Sequence, residues 1–359
     1  MDEERLLAGD FVHGGMNRRY LFVKGTVPDV LAIAIHPFGG SAETTFRFEG
    51  GALVKLGFSV LVPEGYRNSW NAGHCCGEAK AKAINDVGFV YDLAKFVIQE
   101  HVKPGTVGGV KVYLTGYSNG AFIVSKLALM QQQLGENGKW ISAIAMQSGY
   151  SYELDLYDNA VGEQPLPVFA IHGGADTYVN PGGCCATTAP KACCCGITSD
   201  ICVSFSQSLS LWRQINRCDT KKSTSKLPFA NVTEPDAKCE FNLQCGVYSC
   251  LFPNQAHRLN LEEHEGGVPN LVAEFFHFDY VHNPNSHRFV PSYATRLSPQ
   301  HTQDLAYIAL GAALGLLLIG VWIQIVKKGR LVALAAAAAK HRYSKVSQNQ
   351  DSDDDDGDS

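Results

Sequence analysis

A chain of 359 residues is long for one domain and short for three, so one large domain with appended segments is expected. Hydrophobic residues make up 45% of it and charged residues 18%, a balance that argues against general disorder. The formal net charge is -5 and there is no basic stripe with interleaved aromatic residues, so nucleic acid is not an expected partner.

Short apolar runs alternate with helical patterns over residues 15–290. This alternation is typical of βαβ units, and it predicts an α/β fold with a mostly parallel sheet and helices on both faces. Helices are predicted over 79–102, before the Lys-Pro-Gly of 103–105, and over 121–134. The predicted strands are 19–23, 31–36, 59–63, 110–115, 141–147, 167–172 and 245–251.

The strand predicted at 110–115 continues into the G-x-S-x-G pentad at 116–120 and then directly into the helix at 121–134. A sharp turn from strand to helix crowds the backbone around its serine, so residues without side chains are needed two places before and after it. Such a turn projects the Ser118 hydroxyl above the sheet edge. It also places the backbone N–H of Asn119 at a positively polarised helix start, which suits a developing oxyanion. The setting predicts a nucleophile elbow and the α/β-hydrolase fold.

A nucleophilic serine needs a histidine base, which a carboxylate holds in the right tautomer. In this fold the chain order is Ser, then Asp or Glu, then His, each on a loop after a strand. Asp176 follows the strand at 167–172 on a glycine turn and is the predicted acid, although aspartate also serves simply as a turn residue. His257 follows the strand at 245–251 and is the predicted base. The later histidines are expected at the surface or in the core: His264, His277 and His282.

The loop HPFGG at 36–40 follows an early strand and stands where this fold supplies its second oxyanion donor. By position, the backbone N–H of Phe38 is the expected donor. His36 and Tyr117, which adjoin these turns, are expected beside the substrate.

All twelve cysteines lie between Cys75 and Cys250, which favours disulfides and an oxidising compartment. The sequon at Asn231 fits that compartment. A Gly-, Pro- and Cys-rich stretch at 182–202 interrupts the alternation and is predicted to be a cross-linked insertion. Its adjacent cysteines lack the open spacing of zinc ligands, so no metal is expected, and the disulfide pairing stays open.

Residues 305–326 form a run of about 20 apolar residues, the length that spans a bilayer. This run predicts one C-terminal transmembrane helix, after a hydrolase domain at 1–290 and a linker at 291–304. The tail at 327–359 begins with basic residues, ends in an acidic run and is expected to be largely disordered. Because basic residues follow the apolar run directly, the positive-inside rule places the tail in the cytosol and the hydrolase domain outside. No signal peptide is visible, which suggests an incomplete N-terminus. A tail-anchored protein with a cytosolic domain is the alternative.

Several motifs occur together over residues 15–280: HPFGG, GFSVLVPEG, WNAGHCCG, GYSNGA, HGGAD before Val179, and Trp212 and Asn216 before Cys218. In this combination the chain resembles the secreted poly(3-hydroxybutyrate) depolymerase and feruloyl esterase-like hydrolases. The resemblance implies catalytic roles for Ser118, Asp176 and His257. It also places Trp70 near the cleft, either stacked on an aromatic or sugar part of a substrate or packed in its loop. The family has a tryptophan and a proline after the histidine, where this chain has RLN.

Together these features predict a serine carboxylic-ester hydrolase that works through an acyl-enzyme and needs no cofactor. Its expected substrates are small-molecule or polymeric esters of feruloyl, acetyl or hydroxyalkanoate type, and its expected partner is a membrane through the C-terminal helix. Two alternatives stay open: a peptidase with the same triad, and a non-catalytic binding ectodomain on a hydrolase scaffold.

Overall fold

One mixed sheet organises the part of the chain that the computed structural model describes, namely residues 6–73, 75–102, 109–133, 139–151, 153–158, 160, 165–183, 203–219, 226–261, 267–283 and 288. The chain divides into two units, Met1–Pro291 and Ser292–Ser359, and all described residues belong to the first. The strands are β1 (Leu6–His13), β2 (Met16–Val23), β3 (Val30–Ile35), β4 (Ser59–Pro63), β5 (Lys111–Tyr117), β6 (Ala143–Gln147), β7 (Val168–Gly173), β8 (Lys238–Asn242) and β9 (Val247–Phe252).

Strands lie side by side in the order β1-β2-β4-β3-β5-β6-β7-β9-β8. All pairs from β4 across to β9 are parallel, and the antiparallel pairs β1/β2, β2/β4 and β9/β8 lie at the two sides. The helices are α1 (Ala42–Thr45), α2 (Gly51–Lys55), α3 (Gly77–Ala81), α4 (Asp86–Val97), α5 (Asn119–Gln132), α6 (Leu154–Asp158), α7 (Phe205–Ile215) and α8 (Gly267–His282), with π-helical turns at Phe46–Gly50 and Ile98–Val102.

Strand β3 shows why both faces of the sheet need helices. Successive side chains of a strand point to opposite faces, and all six residues of β3 are buried. Leu31, Ile33 and Ile35 join the core formed with α4, α5 and α7, whereas the alternate residues join the core formed with α8 and the segment from α1 to α2. The predicted mostly parallel sheet with helices on both faces is therefore confirmed.

Each strand predicted from sequence is present within a few residues of its predicted ends. The single helix predicted over 79–102 is wrong, because it is divided into α3, α4 and a π-helical turn. Ala83 has a positive φ of 48°, and the Asn85 side chain accepts a hydrogen bond from the Gly88 N–H, which makes Asn85 the N-cap of α4. The outer strands β1 and β8 had no clear signal in the sequence.

Several predictions fall outside the described residues. They are the cysteine-rich stretch from 184 to 202, the linker at 291–304, the transmembrane helix at 305–326 and the tail at 327–359. Within the described ranges, no helix combines the length and the apolar character needed to cross a bilayer. The disulfides in these ranges are Cys75–Cys76, Cys218–Cys245 and Cys239–Cys250.

Candidate active site

Ser118 lies between β5 and α5 in a backbone conformation that few residues other than glycine adopt. Its φ is 54° and its ψ is -120°, and its N–H donates to the Gln147 carbonyl at 2.9 Å. Both flanking glycines are required by space. A Cβ on Gly116 would meet the Gly120 carbonyl group, and a Cβ on Gly120 would meet the Ile35 carbonyl oxygen. The turn therefore has the tight geometry that the pentad predicted.

Asp176 is 3% exposed on the turn after β7. Its Oδ1 accepts hydrogen bonds from the backbone N–H groups of Tyr178 at 2.8 Å and Val179 at 2.9 Å. These two donors fix the carboxylate and leave Oδ2 for another partner. His172 supports the same turn, because its Nε2 donates to the Val179 carbonyl at 2.8 Å. Burial lowers the pKa of His172, so this ring is neutral at physiological pH.

Glycines let the loop that carries the histidine lie directly against the loop that carries the aspartate. A Cβ on Gly173 would meet the Ala256 carbonyl oxygen, and a Cβ on Gly174 would meet the backbone of Pro253. The N–H of Ala175 donates to the Gln255 carbonyl at 3.0 Å across this contact. The loop after β9, which carries His257, therefore packs directly against the HGGAD motif.

Ser118, His257 and Asp176 form one hydrogen-bonded chain. His257 Nε2 lies 2.9 Å from Ser118 Oγ, and His257 Nδ1 lies 2.7 Å from Asp176 Oδ2. A carboxylate can only accept, so Nδ1–H donates to Asp176, which leaves the Nε2 lone pair to accept from the serine hydroxyl. The structure thus brings together the three residues that the sequence predicted, in an arrangement able to remove the hydroxyl proton.

The backbone of His257 is itself held by two hydroxyl groups. Ser148 Oγ donates to the His257 carbonyl at 2.8 Å, and Tyr117 Oη donates to it at 3.2 Å. The rings of Tyr117 and Tyr178 flank the imidazole with centroid distances of 5.1 and 5.3 Å. Burial raises the pKa of Tyr117 to about 12, so its hydroxyl stays a donor. These contacts restrict how far the imidazole can turn.

The two backbone N–H groups that the sequence suggested as oxyanion donors have no hydrogen-bond acceptor among the described residues. Asn119 is the first residue of α5, so its N–H has no acceptor within the helix. The Phe38 N–H has no hydrogen-bond acceptor among the described residues, although the N–H groups of Gly39 and Gly40 donate to the Asn68 and Pro37 carbonyls. Both groups lie on the loops where the sequence predicted them.

The side chains of Trp70 and His36 are buried, which favours loop packing over substrate stacking for Trp70 and corrects the prediction that His36 lies beside the substrate. Both are 0% exposed. The Trp70 indole N–H donates to the His36 carbonyl at 2.9 Å, and both His36 ring nitrogens bond the backbone, at Pro37 O and Gly65 N. Burial lowers the pKa of His36 to about 4. These two side chains shape the loops under the site, whereas Tyr117 does line a cavity beside it.

Trp70 links the two oxyanion loops. Its backbone N–H donates to Asn119 Oδ1 at 2.8 Å, and its carbonyl accepts from Asn119 Nδ2 at 3.1 Å. Its indole bonds the His36 carbonyl, two residues before Phe38. Asn119 Nδ2 also lies 3.8 Å from Cys75 Sγ of the Cys75–Cys76 disulfide. Trp70 and Cys75 of the WNAGHCCG motif therefore support the loops of the site.

This architecture also occurs in a solved structure at low sequence identity. An acetyl xylan esterase from Aspergillus awamori has a TM-score of 0.50 and 14% identity, over 76% of this chain and 99% of that one. The chain has the α/β-hydrolase fold. Est1E from Butyrivibrio proteoclasticus is 15% identical over 76% of this chain and 99% of its own, with a TM-score of 0.44. No protein-family model matches the chain, and no curated protein matches it.

Sequence reasoning missed Ser148 and Tyr178 at this site. Ser148 follows β6 at the carboxyl edge of the sheet, and this position was the available signal. Tyr178 is 70% exposed two residues after Asp176, where no pattern distinguished it from an ordinary loop residue.

Proposed function

We propose that the protein is a serine carboxylic-ester hydrolase. The observation that carries this proposal is the hydrogen-bonded chain from Ser118 Oγ through His257 to the buried Asp176 carboxylate. Two backbone N–H groups on neighbouring loops, unpaired among the described residues, support it, because acyl transfer develops negative charge on the carbonyl oxygen.

In the proposed reaction, His257 Nε2 takes the Ser118 proton while Ser118 Oγ bonds the ester carbonyl carbon. The N–H groups of Asn119 and Phe38 stabilise the resulting oxyanion. The imidazolium then gives its proton to the departing alcohol, and the C–O bond of the ester breaks to leave an acyl-enzyme. Water adds to the acyl group with His257 as base, and the acid is released. Asp176 holds the imidazole tautomer and stabilises its charge throughout.

The direct test is hydrolysis of p-nitrophenyl acetate and butyrate by wild type and Ser118→Ala. We expect loss of about 10³-fold or more in kcat for the variant. Ser210→Ala is the matched control, since Ser210 is an exposed serine on α7 whose hydroxyl, within the described part of the chain, bonds the Ser206 carbonyl alone. A Ser118→Ala protein that folds and hydrolyses these esters at the wild-type rate would refute the proposal.

Labelling with a fluorophosphonate separates an enzyme from a non-catalytic scaffold, because an inert scaffold should not react at Ser118. A panel of matched ester and amide substrates separates an esterase from a peptidase.

Within the ester class, the motifs shared with feruloyl esterase-like and poly(3-hydroxybutyrate) depolymerase-like hydrolases make feruloyl, acetyl and hydroxyalkanoate esters the substrates to assay first.

We further propose that residues 305–326 anchor the enzyme in a membrane, with the hydrolase domain on the side away from the cytosol. The apolar run and the basic residues after it support this topology. The disulfides in the described ranges support an oxidising compartment. Protease protection of intact vesicles, with a test for glycan on Asn231, would refute the topology if the domain were digested from the cytosolic side and unglycosylated.

A further inference from the structure

A cavity of about 250 Å³ is lined by sequence neighbours of three groups of the proposed catalytic centre: an oxyanion donor, the nucleophile and the base. Pro37 precedes the expected oxyanion donor Phe38, Tyr117 precedes the nucleophile, and Arg258 follows the base. The part of an ester next to its carbonyl is the part that this position can receive. At roughly 30 Å³ for each small group, the cavity holds a chain of about eight such groups.

Most of the cavity wall is apolar, but a buried carboxyl group lies in it. Apolar wall is supplied by Phe48, Leu259 and Val268, whereas Glu49 is 7% exposed. Gln147 Nε2 donates to Glu49 Oε2 at 2.7 Å, and no hydrogen bond reaches Oε1 from the described residues. Burial raises the pKa of Glu49 to about 7. A carboxyl oxygen at an apolar cavity, without a donor from any described residue, can accept a hydrogen bond from a ligand.

The charge of Arg258 bears on which hydrogen-bond donor of a ligand Glu49 can bind. Arg258 lines the same cavity, and its guanidinium lies 5.4 Å from the centre of the Phe48 ring. The charge of Arg258 opposes the attraction of an ammonium group to Glu49. A hydroxyl group donates to Glu49 without this repulsion.

We infer that this cavity is the acyl-binding site of the enzyme and that it selects an acyl group with a neutral hydroxyl group at its far end, which Glu49 binds. The inference rests on the proposed esterase function and names its substrate class. An acyl group of the same shape that ends in an alkyl group should bind less well than one that ends in a hydroxyl group. The alkyl group would remove water from the Glu49 carboxyl group without donating a hydrogen bond to it.

The test compares p-nitrophenyl 6-hydroxyhexanoate with the isosteric heptanoate, and 4-(hydroxymethyl)benzoate with 4-ethylbenzoate, at about pH 8.5, above the pKa of about 7 that burial gives Glu49. We expect wild type to favour the hydroxylated member of at least one pair by about 10-fold in kcat/KM. Glu49→Gln should abolish this preference, because its amide nitrogen replaces the acceptor while its oxygen faces Gln147. Glu49→Leu serves as a second variant. Glu240→Gln, on the outer strand β8, is the matched control and should keep the preference.

A second arm does not depend on hydrolysis. Calorimetry on Ser118→Ala protein should show tighter binding of methyl 6-hydroxyhexanoate than of methyl heptanoate, and the difference should vanish in Ser118→Ala/Glu49→Gln. Equal preference in wild type and the folded Glu49 variants in both arms would overturn the inference and leave the esterase proposal intact. Hydrolysis that survives Ser118→Ala would overturn the esterase proposal alone, since the binding arm would still decide the role of Glu49.

Discussion

Replacing Trp70 by phenylalanine tests whether this buried tryptophan positions the oxyanion donors. The change removes the indole N–H that donates to the His36 carbonyl at 2.9 Å and leaves an aromatic ring in its place. Deletion of one oxyanion donor costs about 10²- to 10³-fold in kcat, and displacement of a donor should cost less, so we expect a fall of about 10- to 100-fold. KM should change little, because the Trp70 side chain is 0% exposed and does not contact substrate.

Trp212 supplies the control. It is also 0% exposed, and its indole nitrogen has no hydrogen-bond partner within the described residues. Trp212→Phe therefore creates a comparable cavity without breaking a hydrogen bond. Steady-state kinetics on p-nitrophenyl butyrate, with thermal unfolding to match the two variants in stability, measures the difference. Equal kcat values in the two variants would show that Trp70 is packing only.

Four further outcomes are expected. Asp176→Asn should lower kcat by about 10³- to 10⁴-fold, because the amide no longer holds the base in its productive tautomer; a value near wild type would refute the role of the carboxylate. Gly120→Ala should lower the free energy of unfolding by about 3 kcal/mol or more in denaturant titrations, since its Cβ would meet a backbone carbonyl of β3. Cys218→Ser with Cys245→Ser should cost about 3.5 kcal/mol by the loop-entropy relation for a separation of 27 residues, and unchanged unfolding would contradict it. Burial raises the pKa of Glu49 from 4.5 to about 7, so its contribution to stability is greatest below pH 4.5 and is lost as pH rises through 7; wild type should lose on the order of 3 kcal/mol relative to Glu49→Gln across that window.

The central sheet could be predicted because its strands are buried on both faces. A strand such as β3 is apolar at every position, and that run needs no partner to be recognised. Strand β1 is different, because none of its residues is buried and its apolar residues do not form a continuous run, so its register with β2 defines it. The break between α3 and α4 was hidden because Asn85 caps a helix inside an otherwise continuous helical pattern.

The three residues of the proposed triad could be placed from chain order and strand ends, which are local features. The role of Trp70 could not, because it depends on contacts with residues 34 and 49 positions away, at His36 and Asn119. A tryptophan beside a cleft motif suggests stacking, and only the three-dimensional arrangement shows that its faces are covered. Glu49 was missed for the same reason, since its burial arises from packing of α8 and the segment around α1 on the sheet.

The pairing of Ser118 with a histidine 139 residues later also sets when the proposed hydrolase can become competent during synthesis. The elbow between β5 and α5 needs β6 as well, because the Ser118 N–H donates to the Gln147 carbonyl, and the base arrives only when β9 has paired with β7. A nascent chain therefore carries Ser118 without its base until the 139 residues up to His257 have been made. Under the proposed function, esterase activity reports the pairing of β9 with β7, and a chain released before β9 should be inert toward esters.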